Sequence, residues 1–445
     1  MKGHVMGFEE TVEYLYDLQK FGTKLGLENT RALMELLGRP DKKARFLHVT
    51  GTNGKGSVSA LSASALHAAG HRTGLYTSPH LVSFTERIKV GGKAVSEEDV
   101  VSLAERLKAL LAANMPELQP TFFEFTTAMA FDWFVRAGAE VVVLEVGMGG
   151  RLDSTNVVEP ECTVITNVEM EHREYLGDTI EKVAYEKAGI IKPGVPLVTC
   201  EKKFGVIAYI EKVCRERGAP MYLLGRDFSY KARDARWEDG RYTQSFDYEG
   251  PGGEIMGLEI PLIGPHQLEN ASAAACALML MNARGMHMDE AALREGFRDV
   301  RWEGRLDVVS TRPLVVLDGA HNPASAVRLA GSVRESFKGR YKRLILVLGV
   351  LADKDFGLML DTLAPLADVL VLTKADYERA ASTDELMTRA SGLAGSVLVR
   401  EPVSEALHWA LSNAGEDDMV LVSGSLYVVG EAMACLEERK PFLKA

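Results

Sequence analysis

Residues 48–58 read HVTGTNGKGSV, and their types suit the holding of a phosphate. Gly51, Gly54 and Gly56 let the backbone turn tightly and present N–H groups to anionic oxygens. Lys55 adds a positive charge, and a helix starting here would add its partial positive end. Ser57 could hold a magnesium-bound oxygen. The usual phosphate loop has Gly-Lys followed at once by Ser or Thr. Here Gly56 follows Lys55, Ser57 comes one place late, and Val49 stands where the first glycine belongs. A tight strand-to-helix turn with a surface lysine has the same composition, so the loop alone leaves both readings open.

Other residues could carry chemistry at fixed points along the chain. Glu145 ends the apolar run VVVLE before a glycine-rich break. A carboxylate at the carboxyl end of a buried strand suits a magnesium ligand or a water-orienting acid; an edge-of-sheet Glu meeting solvent looks the same. His172 lies between Glu171 and Arg173, and a lone histidine is more often structural. Lys187 falls on a helix ending near Pro193, where most lysines are solvated, and Ser78 sits in a Ser-Pro turn. Asp318 ends another apolar run, with His321 and Asn322 before Pro323, which suits a helix's first turn.

These residues need strands and helices to hold them. RFLHVT predicts a buried strand and residues 56–69 the helix after it, with a helical face earlier at residues 9–20. AEVVVLEVG, CTVITNV and VPLVTC predict further strands of a mostly parallel sheet. Residues 225–255 are polar, aromatic and punctuated by glycine, which predicts antiparallel hairpins. After residue 300, PLVVLDG, RLILVLGV, DVLVLTKA, SVLVR and DMVLVSGS alternate with helix-length segments. That pattern predicts a doubly wound α/β domain, with the boundary between residues 297 and 309.

A chain of 445 residues suits two domains, and 47% apolar with 25% charged residues is a soluble globular balance. A formal charge of −11 argues against general nucleic-acid binding. It does not exclude an anionic small ligand held by a few cations and backbone N–H groups. No secretory signal is evident at the amino end, and no run approaches the roughly 18 apolar residues of a membrane span. The five cysteines are scattered without a C-x-x-C pair, which suggests reduced thiols and a cytoplasmic setting.

The order of the motifs resembles the folylpolyglutamate synthase and dihydrofolate synthase family, within the Mur ligase superfamily. The stretches that carry it include TGTNGKGSV, GLYTSPHLVSFTERI, TFFEFTTAMAF, VLEVGMGGRLDSTNV, YEKAGIIK, GPHQLENASAA, EGRLDVV, LDGAHNP, GVLADKD and SGSLYVVGE. They run from residue 50 to 431, and GTNGKGS is that family's own form of the phosphate loop. The resemblance implies a large amino-terminal P-loop ATPase domain, residues 1–299, and a smaller Rossmann-like α/β domain, residues 300–445. It also implies an ATP-dependent amide ligase. ATP phosphorylates a substrate carboxylate, and the amine of L-glutamate displaces phosphate from the acyl phosphate.

By position, the resemblance assigns Gly54, Lys55, Gly56 and Ser57 to the ATP phosphates. It assigns Ser78, Glu145 and His172, with Ser57, to magnesium (two ions), and makes Lys187 the lysine that the family carbamylates. Lys55, His172 and Lys187 are then the residues closest to the chemistry. Asn270, Arg305, Asp318 and His321 fall on the nucleotide, so that ATP lies between domains. Gly26, Leu27, Glu28 and Asn29, with Leu152, Asp153 and Ser154, fall on the pterin. This favours a bifunctional enzyme acting on dihydropteroate and reduced folates. Two departures stand in NVEMEH, where Glu171 replaces the usual Asp and Glu169 adds a charge. They bear on how the acceptor or the incoming glutamate is held.

Three other readings compete: a folylpolyglutamate synthase alone, a Mur-type ligase with another carboxylate acceptor, and a P-loop nucleotide-binding regulator. The second lacks an obvious separate amino-terminal domain for a sugar nucleotide. The third has no use for DGAHNP and the helix lysine together. A monomer is the simplest expectation, with small-molecule partners only.

Overall fold

The computed structural model describes residues 7–22 and 26–437. The first sheet uses β1 (Arg45–Thr50), β2 (Thr73–Tyr76), β3 (Ile88–Val90), β4 (Lys93–Ala94), β5 (Val141–Glu145), β6 (Cys162–Ile165), β7 (Leu197–Thr199) and β8 (Met221–Leu223). Its order is β4-β3-β2-β5-β1-β6-β7-β8. The strands from β2 to β8 pair in parallel, and only β3 and β4 are antiparallel. Both faces are covered, so β5 is apolar up to Glu145 and β1 is buried from Phe46 to Thr50, His48 included. The expected alternation of parallel strands and helices is therefore present.

The polar stretch after residue 225 forms β9 (Ser229–Glu238), β10 (Arg241–Gly250) and β11 (Gly253–Ile260), an antiparallel sheet of three strands. The third sheet contains β12 (Asp307–Thr311), β13 (Leu314–Asp318), β14 (Leu344–Leu348), β15 (Val369–Leu372), β16 (Ser396–Val399) and β17 (Met419–Ser423). Its order is β12-β13-β17-β14-β15-β16, parallel except for β12. Among the described residues no helix is long and apolar enough to cross a membrane.

Local chemistry fixes the elements that present the site. The helix Phe122–Arg136 starts at a reciprocal capping box between Thr121 and Glu124. The helix Pro323–Ser336 starts with proline at its first position behind an Asn322 cap, as LDGAHNPAS suggests. Glu145 and Asp318 each end a fully buried strand, so their backbones are held by strand pairing while their carboxylates emerge at the sheet edge.

The hairpin β9–β10 reaches the carboxyl-terminal sheet. Tyr242 is buried in the same apolar cluster as Phe337 and Val333. The Trp237 ring meets Tyr242 edge-on at 5.3 Å and lies tilted against Phe337 at 5.4 Å, and its indole N–H donates to the Ser336 carbonyl at 2.9 Å. Arg340 lies over the same ring at 4.8 Å. Trp237→Ala removes this packing and orphans one carbonyl. It should lower the unfolding free energy by about 2–4 kcal/mol without changing helical content, read by urea denaturation and far-ultraviolet circular dichroism.

Candidate active site

The phosphate loop lies between β1 and the helix Lys55–Ala68. Gly54 caps that helix at φ 90°, a left-handed conformation that favours glycine, and the space of its missing side chain is filled by the Asn270 amide. Gly56 is required for a different reason: a Cβ there would lie 2.5 Å from the Trp302 ring. The one-place displacement of the serine thus reflects an indole from the inter-domain linker lying on the loop. Ser57 is 3% exposed and faces the same cavity as Lys55. The Lys55 ammonium donates to the carbonyls of Gly51 at 2.8 Å and Thr52 at 3.1 Å, folded back on its own loop.

Across the loop, Glu145 accepts one long hydrogen bond, from the Ser78 N–H at 3.3 Å. Burial pushes its carboxyl above the usual range, and Lys55 works against that shift. His172 takes a left-handed φ of 43°, uncommon outside glycine. Burial pulls its imidazole down to about 4, so near neutral pH it is uncharged and carries a free lone pair. Ser57, Ser78, Glu145 and His172 line one cavity of about 270 Å³. Among the described residues there is no group of three or more His, Cys, Asp and Glu side chains able to hold a metal. A hydroxyl, carboxylate and imidazole set instead suits a cation whose remaining ligands are phosphate oxygens and water.

Lys187 corrects the local expectation of a solvated lysine, being 1% exposed and paired with Glu171. Burial pulls the lysine below its ordinary value and Glu171 resists. Burial raises the Glu171 carboxyl, but Lys187 and Lys55 outweigh it and bring the value down to about 2. The second unusual acid, Glu169, is taken up by Lys203 at 2.6 Å and faces none of the cavities described here. Each departure in NVEMEH therefore has its own lysine.

The carboxyl-terminal domain closes the cavity from the other side. Arg305, Asp318 and His321 line it, as does Asn270. Asp318 accepts from the Leu306 and Ala320 N–H groups, both at 2.9 Å, and holds the linker against β13. Burial takes His321 down to about 4, and its Nδ1 lies 2.8 Å from the Gly319 carbonyl, so Nδ1 is the protonated nitrogen and Nε2 is a free acceptor. The Asn322 amide donates to the Asn53 side chain at 3.0 Å, a direct link from the carboxyl-terminal domain to the phosphate loop.

A second cavity, of about 550 Å³, is lined by Phe122, Phe123, Arg87, Leu152, Asp153 and Ser154 among others. Gly26, Leu27, Glu28 and Asn29 do not line it. Asn29 instead donates to Glu124 at 3.2 Å, bracing the cap of the helix that carries the two phenylalanines. Sequence reasoning gave no role to Trp302, Lys354, Arg379 or the aromatic pair Tyr377 and Tyr427. Lys354 and Tyr427 stand in the quoted GVLADKD and SGSLYVVGE, but a single aromatic or cationic residue, whether in a loop or, like Tyr427, in the first turn of a helix, carries no periodic signal.

Two family models match the chain: the Mur ligase middle domain at residues 49–278 and the Mur ligase glutamate ligase domain at residues 304–426. The dihydrofolate synthase/folylpolyglutamate synthase of Bacillus subtilis is 35% identical over 442 residues, covering 95% of this chain and 98% of that protein. The Escherichia coli protein of the same name is 32% identical, covering 96% and 95%. The solved structure of E. coli FolC in complex with DHPP and ADP superimposes with a TM-score of 0.86 at 31% identity, covering 97% and 98%. Mycobacterium tuberculosis folylpolyglutamate synthase complexed with ADP gives 0.87 at 32% identity, covering 97% and 99%.

The contact between Gly56 and Trp302 makes a two-step prediction. Gly56→Ala should weaken ADP binding by about tenfold or more through overpacking. The double variant Gly56→Ala with Trp302→Ala should recover much of that loss, since the methyl then has room. Titration calorimetry reads both, and a double variant no better than Gly56→Ala would rule the contact out.

Proposed function

The chain belongs to the folylpolyglutamate synthase and dihydrofolate synthase family of Mur ligases, and on that premise we propose that it joins L-glutamate to dihydropteroate and to the glutamate tail of reduced folates at the expense of ATP. Residues 1–299 would carry the ATP-binding part and residues 300–445 the ligase part. The observation that carries the reading is the meeting of two cavities, a phosphate-loop cleft and an aromatic cavity, at Ser78 and Gly147. A flat pteroyl group suits Phe122 and Phe123, with Asp153 and Ser154 offering polar contacts. Its carboxylate then points to the junction, where the phosphates end.

The chemistry follows from that placement. A carboxylate oxygen attacks the γ-phosphorus, the bond to the β-phosphate bridge breaks, and ADP leaves. The amine of L-glutamate attacks the carbonyl carbon, phosphate leaves, the amine gives up a proton, and an amide remains. Lys55 must exchange its two loop carbonyls for phosphate oxygens, so ATP replaces bonds the loop already makes. Asn270 and Arg305 reach the nucleotide from the two sides of the cleft, and Asp318 fixes the linker that brings Arg305 in. Ser57, Ser78, Glu145 and His172 would hold magnesium, which supplies charge neutralisation for the phosphates. The buried, weakly bonded Glu145 and the neutral His172 fit that role.

Carbamylation of Lys187 belongs to the same proposal. The amine must first leave Glu171, after which it attacks carbon dioxide, loses a proton and becomes an anion. Its burial favours the neutral amine this needs. The resulting pair of anions beside His172 would favour a divalent cation. The enzyme is proposed to work as a monomer in the cytoplasm, since one chain lines both cavities.

One observation favours a narrower activity: Gly26, Leu27, Glu28 and Asn29, which the resemblance puts on the pterin, stand outside the aromatic cavity. The test supplies ATP, magnesium and L-glutamate with either dihydropteroate or a reduced folate. Glutamylated product from both acceptors is expected. Product from the reduced folate alone would reduce the claim to folylpolyglutamate synthase, and phosphate release that needs no acceptor would end the ligase reading. Lys55→Ala should lower turnover by about 100-fold or more while the melting temperature shifts little, since the ammonium bonds only its own loop.

A further inference from the structure

Side chains along a strand alternate, so β1 sends Phe46, His48 and Thr50 to one face of the first sheet and Leu47 and Val49 to the other. All three on the first face are buried, yet two of them are polar. Both polar side chains bond to the same segment, the turn that follows β5. The Thr50 hydroxyl donates to the Gly149 carbonyl at 2.5 Å, and the His48 Nε2 lies 2.8 Å from the Thr155 hydroxyl oxygen. Thr155 in turn donates to an Asp153 carboxylate oxygen at 2.6 Å. A fully buried histidine between two paired strands is unfavourable where valine or leucine would pack, and the phosphoryl and acyl steps leave it unused.

This chain of hydrogen bonds has one direction. Burial takes the His48 imidazole down to about 3, so it is neutral and carries a single N–H. Thr155 has one hydroxyl proton, and a carboxylate only accepts, so that proton points at Asp153. Thr155 must then receive from His48, which makes Nε2 the protonated nitrogen. Nδ1 is left as a buried acceptor with no partner among the described residues. At the far end, Asp153 Oδ1 also accepts from the Thr155 N–H and Oδ2 from the Met148 N–H, both at 2.9 Å. These donors fix the plane of a carboxylate that is 7% exposed and lines the aromatic cavity.

We propose that His48 is a positioning residue for the acceptor: through Thr155 it holds the Asp153 carboxylate in the orientation that accepts N–H groups from the 2-amino-4-oxopyrimidine edge of the pterin. This rests on the ligase reading above. That edge sets a ring N–H beside an amino group, and two parallel donors suit the two oxygens of one carboxylate. Without His48 the Thr155 hydroxyl loses its donor and is free to turn, and Asp153 can rotate away from the plane the pterin needs. His48 precedes Gly51 by three residues on the strand that leads into the phosphate loop, so one strand orders both the nucleotide and the acceptor.

Wild type, His48→Leu and His48→Gln are compared on dihydropteroate and on its analogue with methyl in place of the 2-amino group, with ADP binding followed by titration calorimetry. His48→Leu should raise the KM for dihydropteroate by about tenfold, the loss of one buried hydrogen bond, at unchanged kcat and ADP affinity. His48→Gln, whose amide N–H reaches the place of Nε2–H, should restore most of that loss. The analogue offers Asp153 one donor fewer, so its KM should respond less to His48→Leu. An unchanged KM in His48→Leu overturns the proposal, as do equal losses on the two acceptors or a matching fall in ADP affinity. His48→Gln no better than His48→Leu overturns it too. If His48→Leu fails to fold, Thr155→Val breaks the chain at its middle with little change of shape and carries the same expectation. Wild type that glutamylates neither dihydropteroate nor a reduced folate would defeat the ligase reading itself.

Discussion

The site depends on a loop stripped of side chains so that other elements can lie on it. Asn270 occupies the space beside Gly54, and Trp302 the space beside Gly56. The first comes from the helix His266–Ala283 and the second from the linker to the carboxyl-terminal domain. Because both contacts fall on the residues flanking Lys55, the loop cannot shift without moving a helix and a linker. The phosphate-binding backbone is therefore held from outside, and the side of the fold that binds nucleotide is also the side where the domains join. The link from Asn322 to Asn53 adds a polar tie in the same direction. At the far edge, Trp237 and Tyr242 anchor the three-stranded sheet to the carboxyl-terminal core, leaving the cleft as the face between two anchored ends.

Charge is the second constraint. Lys55, Lys187, Glu145, Glu171 and His172 stand within one small region, Glu145 and Lys187 buried and the other three partly so. Unpaired buried charges are costly, and the arrangement answers by pairing Glu171 with Lys187 and leaving Glu145 with one long hydrogen bond. Glu145 is the carboxylate that gains most from a cation. Glu169, which extends NVEMEH by another negative charge, is met by Lys203 and keeps clear of both cavities. Each acid of the stretch that departs most from the family pattern is thus met by a lysine, and of the two only Glu171 faces the phosphate cleft.

Much of this was legible in the sequence because strand ends announce themselves. Apolar runs that finish in Glu145 and Asp318 fix both position and direction, and glycines around Lys55 mark the turn. Asparagine and proline at residues 322 and 323 mark a helix start that the structure contains. Burial of a single polar residue is harder to read. Lys187 sits on a helix among polar neighbours, so its surroundings suggest solvent, and only the packing of that helix under residues 149–151 encloses it. Trp302 and Arg379 lie in irregular segments, where no period exists to say which way a side chain faces. Gly26, Leu27, Glu28 and Asn29 were expected on a ligand by resemblance, yet Asn29 braces Glu124 one layer behind the aromatic cavity.

The central claim is that the carboxylate itself is phosphorylated before the amine attacks. The most direct measurement supplies dihydropteroate labelled with ¹⁸O in both carboxylate oxygens, with ATP, magnesium and L-glutamate, and follows the label by mass spectrometry of released phosphate. The account predicts one ¹⁸O in each phosphate, carried from the acyl group when the amide forms. Phosphate free of label, with dihydrofolate formed at the same rate, would contradict it.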